Sequence, residues 1–190
     1  MTGPGRWATV AGLLAALLWQ GAAAAQDQAT DPARVEAAFL RNFARYVTWP
    51  TRAFASERSP WQICLLGRNQ FDNALEATFQ GRTEHGRAFE VVRVTRLDQL
   101  PAACQIVFVD LPLAAERRAA LAELKKQPIL TVGRAPEFLE EGGVIRLMAG
   151  ERIEMSINLD QARAATLTIP SKMLEISREV VENGALRRWR

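Results

Sequence analysis

The chain has 190 residues, a formal net charge of +3 from 24 basic and 21 acidic side chains, and 48% hydrophobic residues. That length holds one ordinary domain with room for a real core. The charge is too small and too interspersed to point to nucleic acid, and the aromatics stand in apolar contexts instead of beside arginine clusters, as a base-stacking platform needs.

Residues 1–25 read as a signal peptide. Arg6 supplies the positive start, and the apolar run from Ala8 to Trp19 is shorter than the roughly 18 residues a span requires. Ala23-Ala24-Ala25 fits a small-residue cleavage site, so the mature chain is expected to begin at Gln26 and to form a single domain over 26–190. No later run is long and apolar enough for a membrane span, so the mature protein is not expected to be an integral membrane protein.

Asp31-Pro32 opens a helix, with Asp31 as N-cap and proline at the first position. Val35, Phe39, Phe43 and Val47 recur at helical spacing, and Trp49-Pro50 ends the run. A strand follows over Trp61 to Leu66, then a turn at Gly67-Arg68-Asn69 and a short helix over Phe71 to Phe79. Gly81 to Gly86 is a polar loop carrying His85, the single histidine. Phe89 to Val94 alternates and reads as a strand near the sheet edge.

The run Cys104-Gln105-Ile106-Val107-Phe108-Val109-Asp110 has no polar face in its middle, which marks a central strand covered on both sides. Leu113 to Lys126 is a helix by propensity, and Pro128 to Val132 is another buried strand. Pro136 to Glu141 makes a helical turn or two. Val144 to Met148 and Arg152 to Ile157, separated by Ala149-Gly150, form an antiparallel hairpin. Leu159 to Ala165 and Ser171 to Val181 read as helices, the second capped by Ser171 and ended by Asn183-Gly184. The pattern predicts an α/β fold: a three-layer sandwich with a mostly parallel mixed sheet and a C-terminal antiparallel hairpin.

Two cysteines, Cys64 and Cys104, sit on the two most buried strands. In an exported chain they are expected to be oxidised to a disulfide, although free cysteine is itself a good core residue.

Catalytic patterns are missing. Gly67 is a lone glycine where a phosphate loop needs several, and no G-x-S-x-G elbow occurs. One histidine and two cysteines on buried strands make a poor zinc site, and no metal or cofactor is expected. Glu140-Glu141 suits a solvated surface, and Ser171-Lys172 are helix neighbours that do not face each other. Asp110, at the carboxyl end of a central strand, is placed where α/β sheets hold functional groups, but strand-stopping or helix-capping is the favoured role.

Val35-Glu36-Ala37-Ala38-Phe39-Leu40-Arg41-Asn42-Phe43-Ala44-Arg45-Tyr46-Val47-Thr48-Trp49-Pro50 resembles the opening KAAFLYNFAKFVEWP signature of the YfiR-like family. Ile63 to Gly67, the Cys104 strand, Ile129 to Val132, Gly142 to Ile145, Ile157 to Leu159 and Ile169 to Leu174 are similar to later blocks of that family in the same order. The resemblance implies a periplasmic, non-enzymatic regulator that binds the periplasmic sensing domain of an inner-membrane diguanylate cyclase or sensor kinase. Repression of a cyclase would lower cyclic-di-GMP and with it biofilm formation. The resemblance also implies a homodimer and a Cys64–Cys104 disulfide. A second disulfide of the founding member, expected around Leu147 to Glu154, has no cysteines here.

The aromatic density at the end of the first helix marks it, with the last helix, as the expected contact surface: Phe39, Asn42, Phe43, Tyr46, Trp49 and Lys172. Core packing is the competing role for each of these side chains. The alternative function is a periplasmic small-molecule binding module, which would show a concave pocket near Gly67, Asp110 and Gly133.

Overall fold

The computed structural model describes residues 31–68, 71–148 and 152–188. The expected signal peptide over 1–25, the start at Gln26 and the Ala149-Gly150 turn lie outside the described residues. The chain forms α1 (Pro32–Tyr46), β1 (Trp61–Gly67), α2 (Ala74–Phe79), β2 (Thr83–Glu84), β3 (Arg87–Val94), β4 (Ile106–Asp110), α3 (Ala114–Leu124) and β5 (Leu130–Gly133). After these come β6 (Ile145–Met148), β7 (Glu154–Asn158), α4 (Leu159–Ala164), α5 (Ser171–Glu175), β8 (Glu179–Glu182) and β9 (Ala185–Arg188).

Among the described residues the strands make one nine-stranded sheet in the order β2-β3-β1-β4-β5-β6-β7-β8-β9. β3, β1, β4, β5 and β6 run parallel to one another, while β7 returns antiparallel to β6. Alternation along the strands explains the layers. Ile106 and Phe108 of β4 join a core with Leu40 and Phe43 of α1, Leu75 of α2 and Ala162 of α4. Val107 and Val109, pointing the other way, join Ala120, Leu121 and Leu124 of α3. A strand with no polar face is thus buried between helices on both sides, giving the expected three-layer sandwich.

Cys64 of β1 and Cys104, just before β4, are disulfide-bonded with Cα atoms 6.0 Å apart. Both are buried, and the bond fits an oxidising compartment.

Three local expectations are corrected. The helix expected over Ser171 to Val181 stops at Glu175, where the Ser177 hydroxyl donates to the Met173 carbonyl at 2.6 Å. Pro170 occupies its N-cap position and Ser171 is its first residue. The Val180-Val181 run then extends as β8 and turns back as β9 through Asn183 and Gly184. Their φ angles of 54° and 71° are those of a two-residue hairpin turn, the chemistry for which Asn-Gly is selected. Asp160 of α4 accepts hydrogen bonds from the Asn183 and Gly184 backbone N–H groups at 3.0 and 2.8 Å, which hold its carboxyl below the ordinary aspartate range.

The Gly81 to Gly86 segment is likewise a hairpin, β2 to β3, with His85 and Gly86 both at positive φ. The Glu141 side chain, expected at a solvated surface, is instead buried against Arg117, while Glu140 is exposed. Adjacent residues on a turn point in different directions.

An added Cβ at Gly184 meets nothing within 4 Å, so Gly184→Ala carries only the conformational penalty of a positive φ. Urea unfolding is expected to show a loss of about 1 kcal/mol for this variant.

Candidate functional site

The side chains expected at a partner surface divide between core and exterior. Phe43 and Trp49 are buried, Phe39 is half-buried, and Asn42, Tyr46 and Lys172 are exposed. Helical spacing places Phe39, Asn42 and Tyr46 on one stripe of α1, beside the buried stripe of Leu40, Phe43 and Ala44. Trp49 has a structural job: its indole donates to the Gln105 carbonyl at 3.2 Å and meets Trp61 edge-on at 5.0 Å. Trp61 in turn donates to the Glu84 carbonyl at 3.0 Å.

The Glu84 carboxylate is buried and takes Arg41 at 2.7 Å and Arg45 at 3.3 Å, fixing the β2–β3 hairpin to α1. His85, exposed in the turn, places its Nε2 3.0 Å from the Arg45 carbonyl oxygen. Thr48 and Thr168 exchange two backbone hydrogen bonds of 3.0 Å, tying the end of α1 to the segment that leads into α5. Phe39 also lines a depression of about 460 Å³ with Ile153, Met155, Ile176 and Arg178. Ile176 is 70% exposed and Tyr46 53%, so apolar surface is presented at both places. On the rim, Arg178 holds the Glu154 carboxyl below its ordinary range.

A second feature lies at the carboxyl ends of the parallel strands. The chain runs from β1 through α2 to β3 on one side of β1, then crosses back to β4 on the other. Because α2 and α3 cover opposite faces, the β1–β4 junction is a topological switch point, where α/β sheets leave a crevice. Here the crevice has about 550 Å³ and is lined by Arg68, Asp110, Leu111, Arg117, Arg134 and Glu137. The alternative reading, a small-molecule binding module, called for a concave pocket near Gly67, Asp110 and Gly133; of these three Asp110 lines the crevice. Gly67, at φ +106°, lets the two strand ends meet, since a Cβ there would overlap the Asp110 carbonyl.

Three ion pairs build the walls. Arg134 makes a forked pair with Glu36, which is 1% exposed, its Nε lying 2.8 and 3.1 Å from the two carboxylate oxygens. The same guanidinium lies over the rings of Phe108 and Phe71 at 4.9 and 5.4 Å. Arg117 donates to both oxygens of Glu141, at 2.7 and 2.8 Å, and to the carbonyls of Leu111 and Pro112 at 3.0 Å. The Glu141 carboxylate raises the Arg117 pKa above its ordinary value.

Arg68 is held more loosely: among the described residues its side chain makes a single bond, of 3.0 Å, to Asp110 Oδ1. Asp110 does not cap α3, whose N-cap position is Leu113. Among the described residues no group of histidine, cysteine, aspartate and glutamate side chains has an arrangement able to hold a metal ion. Nor is any described helix long and apolar enough to cross a membrane.

Glu36, Arg134 and Arg68 were not singled out by the sequence reading. A charged residue in the buried stripe of α1, at Glu36, is the signal that marks a buried partner elsewhere.

The YfiR/HmsC-like family model matches residues 33–178. The chain belongs to this family. No curated protein matches the YfiR/HmsC-like chain significantly. Among solved structures, its fold is similar to the crystal structure of a conserved domain protein from Vibrio cholerae O1 biovar El Tor, with a TM-score of 0.53 and 11% identity. That similarity covers 80% of the YfiR/HmsC-like chain and 60% of the Vibrio chain.

Proposed function

We propose that this YfiR/HmsC-like protein is a periplasmic regulator that works by binding, with no bond made or broken in a substrate. Cleaved after residue 25 and folded as a single domain from Gln26, it binds the periplasmic sensing domain of an inner-membrane diguanylate cyclase or sensor kinase. It holds that protein inactive and so lowers cyclic-di-GMP output. The family match over residues 33–178 carries this reading. A repressor of this kind shifts the population of its partner by differential affinity for one state and needs no active site.

The contact surface in this account is the exposed stripe of α1, Phe39, Asn42 and Tyr46, extended by Ile176 and by Lys172 of α5. Phe43 and Trp49 support it from beneath. The protein is proposed to act as a homodimer, which light scattering of the purified protein tests directly. The Cys64–Cys104 bond supports export. With no cysteine between Leu147 and Glu154, redox control through a second bridge there is not part of the proposal.

The double variant Asn42→Ala, Tyr46→Ala tests the surface. Capture by the sensor domain is expected to weaken about tenfold or more, with the melting temperature unchanged because both side chains are exposed. Unaltered capture removes this surface from the account.

A further inference from the structure

Asp110 carries a carboxylate that is only half used. The residue is 9% exposed, Oδ1 accepts from Arg68, and Oδ2 is buried with no hydrogen-bond partner among the described residues. An ionised oxygen left in that state is costly unless something donates to it. Arg68 is the complementary case: its side chain is 60% exposed and, among the described residues, only one of its guanidinium nitrogens is engaged. The free acceptor and the free donors therefore belong to the same ion pair, at the switch point of the sheet.

The other arginines around this pair already have carboxylate partners: Glu36 answers Arg134 and Glu141 answers Arg117, while Glu137, which also lines the crevice, is exposed to solvent. A lone anion entering the crevice competes with Asp110 for Arg68, and a lone cation competes with Arg68 for Asp110. A molecule bearing both charges replaces one ion pair with two and leaves no buried charge unanswered. Val109, Leu111, Pro112 and Ala135 supply apolar wall beside the pair, and the volume of about 550 Å³ suits a small ligand. Arg68 also borders a second depression of about 540 Å³, which gives its side chain space to swing away from Asp110.

We propose that this crevice is a binding site for a small ammonium–carboxylate zwitterion of the α-amino-acid type. Arg68 takes the carboxylate and Asp110 Oδ2 takes the ammonium. The site is separate from the α1 surface, so its occupancy and partner capture succeed or fail independently.

Isothermal titration of the purified protein with each of the twenty L-α-amino acids tests this, with acetate and ethylamine as probes carrying one charge each. At least one amino acid is expected to bind with one-to-one stoichiometry, and the single-charge probes are expected to give no saturable heat. Asp110→Asn and Arg68→Gln are each expected to weaken that binding about tenfold or more. The proposal is overturned if no amino acid binds, if acetate or ethylamine binds equally well, or if binding survives the substitutions unchanged. Should Asp110→Asn fail to fold, Arg68→Gln at its exposed position decides the question alone.

Discussion

Removing the disulfide with Cys64→Ala and Cys104→Ala is expected to cost about 4 kcal/mol of folding stability. The bond closes a 40-residue interval, and the chain entropy it withholds from the unfolded state grows with the logarithm of that length. For a domain of this size the loss corresponds to a melting temperature lower by about 10 °C. Urea unfolding of the oxidised protein and the double variant, followed by tryptophan fluorescence, measures it. Equal midpoints for the two proteins would show that the bond adds nothing. Both cysteines are buried in the core cluster that α3 covers, which limits the access of reductant to the sulfurs in the folded chain. Reduction under native conditions is therefore expected to be slow and to track global unfolding, which makes this bond structural in character.

Phe138→Ala is expected to destabilise the fold by about 3 to 5 kcal/mol. The ring is fully buried and fills space left by two glycines, since a Cβ at either Gly133 or Gly143 would overlap it. Facing glycines hold the void open, so the surroundings have no side chain with which to fill it. The same ring pins the segment from Arg134 to Gly143, which Glu141 ties to Arg117 and the Leu139 carbonyl ties to Asn158 at 3.1 Å. This segment is one wall of the crevice, so the variant is also expected to lose amide protection there. A thermal melt within a degree of the wild type would contradict the assignment.

The fold was largely legible because its central strands are extreme. Ile106 to Val109 offers no polar face, and only a doubly covered sheet accommodates such a run. The C-terminal segment misled because helical spacing in Met173, Leu174 and Ile176 continues into Val180, while the decisive signal is two residues long. Asn183-Gly184 serves equally as a helix stop and as a hairpin turn, and β-branched residues on one side of it favour the hairpin. His85-Gly86 carried the same ambiguity with a less common first residue.

The candidate sites were legible in position more than in partners. Asp110 stood out because it ends an apolar strand, but spacing alone carries no sign of Arg68, 42 residues away. Glu36 and Arg134 meet across 98 positions. Such pairs depend on which strands become neighbours, which the crossing of β1 by the β3–β4 connection determines. In and just after α1 the aromatic cluster mixes two faces, because spacing along the helix does not say which side the sheet covers: Phe43 and Trp49 are buried, Phe39 is half-buried, and Asn42 and Tyr46 are exposed.

Titration of the purified, oxidised protein into the isolated periplasmic domain of an inner-membrane diguanylate cyclase or sensor kinase from the same organism tests the central claim most directly. The account predicts a saturable complex of defined stoichiometry, formed without consumption of any substrate. Absence of binding by a protein shown to be folded and disulfide-bonded would contradict it.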